Sequence, residues 1–311
     1  MYAPVILFVY NRLNETKCTV ESLLRNKLAK HTQLYIFSDA AKVAEEIIVV
    51  DEVRRFVSSI EGFEQVHIHY AIQNKGLARS IIEGTNEVIL LHEKAIVMED
   101  DLVVASDFLD YMNQCLEMYA YRKNIWSIAG YSPPIEIPTF YPHDVFLFGR
   151  ASSHGWATWL DRWCKVDWQV KDFETFSSNR KDRIAFDMTG NDMYRLLELQ
   201  QMGRMNSWAI RFCYSQFRNN AFTVYPVKSK VQIKGYSAQA THNGLADRRH
   251  FVELFEGELY PEVDVSVDTV IWNRFRKHQD LRPIGKIGFF LCKYNLGYKQ
   301  IKIILKKLFG Q

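Results

Sequence analysis

Three consecutive carboxylates, Glu99, Asp100 and Asp101, stand at the end of a short apolar run, Ala95-Ile96-Val97-Met98. Side by side they repel one another. Held at the end of a buried strand they cost stability unless a positive charge neutralises them. A hard divalent cation, Mn2+ or Mg2+, does this through carboxylate oxygens and keeps coordination positions for phosphate. Such a cation would bridge a diphosphate and stabilise the charge that develops on a departing nucleotide. Two plainer roles compete: a helix N-terminal cap and a solvated turn. Leu102-Val103-Val104-Ala105 separates the cluster from Ser106, the better N-cap, which weighs against capping.

Further groups invite chemistry. In Asn74-Lys75-Gly76-Leu77-Ala78-Arg79 a strand gives way to a helix. Gly76 permits a tight turn, the helix N-terminus can receive an anion, and Lys75 and Arg79 add positive charge. An ordinary turn with surface cations has the same pattern, and Arg12 has a similar status. Trp156, Trp159, Trp163 and Trp168 offer faces that stack on sugars. The spacing of the first three also suits a helix packed on the core. His242 follows a polar stretch and is either structural or a ligand for a borderline metal such as Mn2+.

These residues need elements to position them. Val5 to Tyr10 is a continuous apolar run, as expected of a strand buried on both faces. Strands are also expected at Leu34 to Phe37, Gln65 to Ile72 and Ala95 to Met98, and around Asp144 to Gly149. Helical patterns lie between the first four strands, over Phe108 to Tyr119, and later over Asp192 to Gln201 and Trp208 to Phe217. The alternation predicts an α/β fold with a mostly parallel sheet flanked by helices. Ligands bind beyond the carboxyl ends of such strands, where Asn11-Arg12, Ser38-Asp39 and Glu99-Asp100-Asp101 would converge.

The bulk properties narrow the classes. A net charge of +3 gives no sign of nucleic-acid binding. Five scattered cysteines, without a paired spacing, suit reduced thiols in a reducing compartment. No basic lead-in precedes Val5 and no cleavage site follows Tyr10, so a secretory signal is not expected. No apolar run is long enough to span a membrane.

With these pieces in order, the chain resembles the GT-A (Rossmann-like) glycosyltransferases. It looks most like bacterial sugar transferases near the N-acetylglucosaminyltransferase I type, which use Glu-Asp-Asp as the metal motif. The resemblance runs over residues 3 to 245. It rests on Val9-Tyr10-Asn11-Arg12, Phe37-Ser38-Asp39, Asn74 to Ser80, Met98 to Asp101, Ser153 to Trp159 and Ala240-Thr241-His242. It implies a nucleotide-sugar donor held by Asn11, Arg12, Asp39, Asn74, Gly76, Arg79, Glu99 and Asp100, with Asp39 on the base. Asp101 would ligate Mn2+ or Mg2+, with His242 as second ligand. Gly155, Trp156 and Trp208 would meet the acceptor.

An inverting transferase also needs a base for the acceptor hydroxyl. Asp187 and Asp192 are the candidates, although Asp192 also suits a helix N-cap. Relatives carry an acid beside a tryptophan where this chain has Asn206-Ser207-Trp208, so this chain departs from the pattern there.

The expected organisation is a GT-A catalytic domain over 1–283, with a nucleotide-sugar half to about 130 and an acceptor half from 131. A basic amphipathic tail over 284–311 follows. From Gly285 onward it carries six lysines and no acid, interleaved with aromatic and aliphatic residues. It reads either as a helix docked on the catalytic domain or as a contact with an anionic membrane. The expected place is the cytoplasm, or the periphery of the inner face of the cell membrane. The acceptor would be a glycan or a lipid-linked sugar in surface-polysaccharide assembly. One rival is a catalytically silent nucleotide-sugar binder or scaffold. The other is a nucleotidylyltransferase, disfavoured because Tyr10-Asn11-Arg12-Leu13-Asn14 lacks glycine.

Overall fold

A computed structural model describes residues 2–234, 250–281 and 283–294, without the side chains of 283–287. Four strands open the chain: β1 (Val5–Val9), β2 (Gln33–Ser38), β3 (Gln65–Tyr70) and β4 (Lys94–Glu99). They pair in parallel in the order β3-β2-β1-β4, through α1 (Leu13–Leu24), α2 (Ile47–Val57) and α3 (Leu77–His92). Side-chain alternation sends each strand to both layers. Val5, Leu7 and Val9 pack with Val20 and Leu23 of α1. Ile6 and Phe8 pack with Ile81 and Val88 of α3. Burial on both faces explains the continuous apolar runs.

After β4 come β5 (Leu102–Val104), α4 (Phe108–Met118), β6 (Ile125–Ala129), β7 (Val145–Phe148) and β8 (Trp156–Trp159). A helical stretch follows: α5 (Leu160–Trp163), α6 (Phe173–Ser178), α7 (Arg180–Phe186), α8 (Met193–Gln201) and α9 (Trp208–Arg218). The remaining elements are β9 (Phe222–Pro226), β10 (Val231–Ile233), α10 (Thr269–Gln279) and α11 (Pro283–Lys293). The main sheet runs β3-β2-β1-β4-β8-β6-β9-β7, and β5 pairs with β10 in a separate ladder. Strand β8 enters antiparallel between β4 and β6. Six of the eight strands point one way, since only β8 and β7 pair antiparallel to their neighbours. The fold is therefore the expected α/β class, with a mostly parallel sheet flanked by helices.

Two local expectations change. Trp156 and Trp159 lie on a strand, not a helix, so three residues apart they face opposite layers: Trp159 in one core and Trp156 in the other. Helix α4 is capped by Asp107 rather than Ser106, and without a side-chain cap bond. Ser106 instead donates its backbone N–H and its hydroxyl to Glu256, each at 2.8 Å. Asp107 receives Lys230, which has no exposed side-chain surface and reaches both carboxylate oxygens at 2.7 and 2.6 Å. Lys230 also donates to the carbonyls of Phe255, at 3.2 Å, and Gly257. A buried ammonium with four acceptors ties the segment after residue 250 to the start of α4.

Candidate active site

Strand β1 ends at Val9, and the chain turns through Tyr10 and Asn11 into α1, where Arg12 is the N-cap. Strand β4, next to β1, delivers Glu99 opposite Phe8. Arg12 thereby reaches the acidic cluster across 88 residues of sequence. Its guanidinium pairs with Asp100 through Nη2 and with Asp101 Oδ2 through Nη1 at 2.9 Å. Asp100 is buried, and its second oxygen accepts from the Tyr10 N–H at 3.3 Å. Asp101 keeps 22% of its side chain exposed, so it stands at the lip of the cluster.

Burial, with the charges of Asp101 and Asp100 added, pushes the Glu99 carboxyl up to about 8. Burial also raises Asp100, to about 6, although Arg12 pulls against it. Both groups bind protons in the fold that they release when unfolded. Stability therefore falls as pH rises from the ordinary carboxylate range through about 8. For one proton the slope is about 1.4 kcal/mol per pH unit. Were a divalent cation to bind beside Glu99 it would expel that proton, and its affinity would then rise, by up to about tenfold per unit, between pH 6 and 8. Titration calorimetry in buffers of differing ionisation enthalpy should register the released proton. An affinity flat across that range would contradict the coupling.

Seven of the eight residues expected to hold the donor line one cavity of about 420 Å3: Asn11, Arg12, Asp39, Asn74, Gly76, Glu99 and Asp100. Gly76 caps α3 at φ +72°, the conformation its turn requires. The two N–H groups just before that helix are taken from within. Asp39 Oδ1 accepts the Lys75 N–H at 2.9 Å, and Oδ2 accepts the Gly76 N–H at 2.9 Å. Asp39 thus shapes the wall at the turn that leads into α3. Arg79 does not line the cavity. It is exposed and pairs with Glu83 at 2.6 Å, as Lys75 does at 2.8 Å.

Sequence reasoning missed Tyr10, Lys42, Glu46 and the ring of Phe37 among the lining residues. Tyr10 donates its hydroxyl to Glu46, and Asn11 donates to the same carboxylate at 3.1 Å. Tyr10 and Phe37 stand in the motifs Val9-Tyr10-Asn11-Arg12 and Phe37-Ser38-Asp39, while no local pattern singled out Lys42 or Glu46. The rings of Phe8 and Phe37 stack at 5.5 Å and rest on Gly84 of α3. A Cβ at Gly84 would lie 2.8 Å from the Phe8 ring and 3.0 Å from that of Phe37. Gly84→Val is expected to cost about 1–3 kcal/mol and to drive both rings into the cavity. Thermal melts with and without nucleotide check it: a normal melt with normal binding would remove the rings' role as floor.

A second cavity, about 350 Å3, is lined by Tyr131, Arg150, Ser152, His154, Asp192 and His250, among others. The register Val97↔Trp156 brings the loop before β8 to the end of the sheet where β4 delivers the acids. His154 stands in that loop, and burial lowers it to about 4 despite the opposing pull of Asp101's charge. Asp192 is buried at the head of α8 and gripped by Arg150 at 2.7 and 3.0 Å. Asp187 lines neither cavity, and its Oδ1 accepts the Tyr194 N–H at 2.9 Å. Neither candidate base stands free.

The expected acceptor contacts are overturned at three positions. Trp156 is 1% exposed and stacks on Trp208, itself 3% exposed, at 4.8 Å. Gly155 is buried, and a Cβ there would meet Val231 at 2.9 Å. All three belong to the interior and offer a ligand no surface. His242 lies outside the described residues.

Among the described residues no three His, Cys, Asp or Glu side chains are gathered to hold a metal ion. The residues present suit a cation that takes one or two carboxylates and completes its shell with water and phosphate, not one in an all-protein cage. Asp101 would be that carboxylate, and a cation there would compete with Arg12.

No family model matches the chain, and no curated protein does. Solved structures similar to parts of it include the mannosyltransferase PcManGT from Pyrobaculum calidifontis in complex with GDP-Man and Mn2+. That likeness is 12% identity and a TM-score of 0.35 over 52% of this chain and 46% of that one. S. aureus TarS 1-349 is 12% identical, with a TM-score of 0.40, over 74% of this chain and 60% of that one. Mouse xyloside xylosyltransferase 1, apo form, is 10% identical, with a TM-score of 0.37, over 83% and 96%. The chain thus spans about half the length of the first of these.

Proposed function

We propose that the protein is a metal-dependent, inverting glycosyltransferase of the GT-A type. It moves a sugar from a nucleoside diphosphate donor, a UDP-sugar, to a glycan or lipid-linked acceptor. One observation carries this reading. The ends of β1, β2 and β4 and the turn before α3 close around a single cavity, with Glu99 and Asp100 in its wall and Asp101 next to them in sequence. A cavity of about 420 Å3 with an aromatic floor suits a nucleoside. The half-exposed Arg12 at its mouth would turn from Asp100 and Asp101 to meet a diphosphate. Bound at Asp101, Mn2+ or Mg2+ would offset the charge on the leaving diphosphate. The second cavity, which holds His154, is the seat assigned to the acceptor.

A panel of nucleotide sugars, each with and without Mn2+, tests the reading by thermal shift and by donor consumption. A melting temperature raised only by nucleotide and metal together, with donor consumed when acceptor is added, is the expected result. No metal-dependent shift with any nucleotide would refute it. A silent donor binder is the second reading, favoured because Arg150 holds Asp192. That reading predicts the shift without turnover.

A further inference from the structure

Helix α8 has two working faces. Met193 and Leu196 look into the proposed acceptor cavity. Tyr194, Arg195, Glu198 and Leu199 line a separate groove of about 340 Å3 against α11. The groove is cationic: Arg183, Arg195 and Lys293 line it against one carboxylate, Glu198, which Lys293 holds at 2.8 Å. Arg183 lies over the Tyr194 ring at 5.2 Å, and its buried Nε has no hydrogen-bond partner. Beside these charges α11 exposes half of Phe290, and Tyr294 just past its end is 56% exposed, the two rings meeting at 4.7 Å. Ile184, next to Arg183 on α7, is 55% exposed. In sequence the chain continues from here with Lys299, Lys302, Lys306 and Lys307 and no acid.

We propose that this groove and the exposed tip of α11 dock on an anionic lipid surface. A lipid phosphate would pair with Arg183 and Arg195, and Phe290 and Tyr294 would enter the boundary between headgroups and acyl chains. The charge points to an anion. The apolar tip beside it points to a surface that offers hydrocarbon as well, which a soluble acidic peptide does not. Among the described residues no helix is long and apolar enough to cross a membrane, and the contact proposed is a peripheral one. It also has a use: the acceptor cavity lies on the other side of α8, about one helix diameter, 10–12 Å, from the lipid. An acceptor carried on a lipid would reach the cavity without leaving the bilayer. The docking uses none of the donor-site residues, so it can fail while the transfer reading stands, and the reverse.

The test is co-sedimentation of the full chain with vesicles of phosphatidylcholine alone or mixed with phosphatidylglycerol, at low and physiological salt. The protein is expected to pellet only with the anionic vesicles, and less as salt rises. The double variant Arg195→Glu/Phe290→Ser changes exposed side chains and should melt as the wild type does. It is expected to bind at least about tenfold more weakly. Wild type that stays free of anionic vesicles, or a normally folded double variant that binds as tightly as wild type, overturns the proposal.

Discussion

Asp101→Ala is expected to leave the protein folded and to abolish the metal-dependent response to nucleotide sugars that the proposed function requires. Its carboxylate is partly exposed, and its bond to Arg12 is a rim contact of the kind worth about 0–1 kcal/mol. Arg12 keeps its second partner, Asp100, and the repulsion that Asp101 imposes on Glu99 disappears. The melting temperature without ligand should therefore move little. Donor chemistry should suffer far more, because a Lewis acid at a departing diphosphate supplies several kcal/mol of the barrier reduction. Transfer should fall on the order of a hundredfold or more. The thermal shift expected of nucleotide and Mn2+ together should vanish. Asp101→Asn, which keeps the shape and loses the charge, should behave alike. A variant that retained the metal-dependent shift would remove Asp101 from the metal site.

The other large effect concerns stability. Asp192→Asn is expected to lower stability by about 3–5 kcal/mol, because it leaves the largely buried Arg150 guanidinium without its counter-charge. Only 20% of the Arg150 side chain and 10% of the Asp192 side chain are exposed. Burial works against the Arg150 charge, and the adjacent Asp192 carboxylate more than compensates. Apolar replacement of both, Arg150→Met with Asp192→Leu, should recover most of the loss, since neither charge is then left alone. The double variant should still bind donor and metal, as neither residue lines the donor cavity. Chemical denaturation of the single and double variants measures this. A single variant as stable as wild type would refute the structural role of the pair.

Periodicity carried β1 to β4 and their rim, but not β6, β8 or β9, because strands buried on both faces write themselves as unbroken apolar runs only where the run stands alone. Val5 to Val9 and Ala95 to Met98 needed no partner to be read as strands, and the acids had to follow the second of them. What periodicity could not carry was pairing at a distance. That Arg12 neutralises Asp100 depends on β1 and β4 being neighbours, which no local pattern states. Likewise Asp39 takes the Gly76 N–H from 37 residues upstream, so a turn that looks open in one dimension is partly occupied in three. The tryptophans failed for another reason. Spacings of three and four suit a helix, yet Trp156 and Trp159 sit on a strand wedged between two others, where large rings fill both layers at once. For Asp192 the helix start was legible and its grip by Arg150 was not.

The antiparallel strand β8 joins β4 on one side and β6 on the other. The half that carries the acids and the half that carries the second cavity are therefore one continuous hydrogen-bonded ribbon. A hinge between them would have to tear the β4–β8 ladder, so clamshell opening is mechanically costly here. Traffic into the two cavities then falls to the loops at their rim. It follows too that a fragment ending near residue 130 would bare the edge of β4 and invite edge-to-edge aggregation rather than fold as a free nucleotide-binding unit.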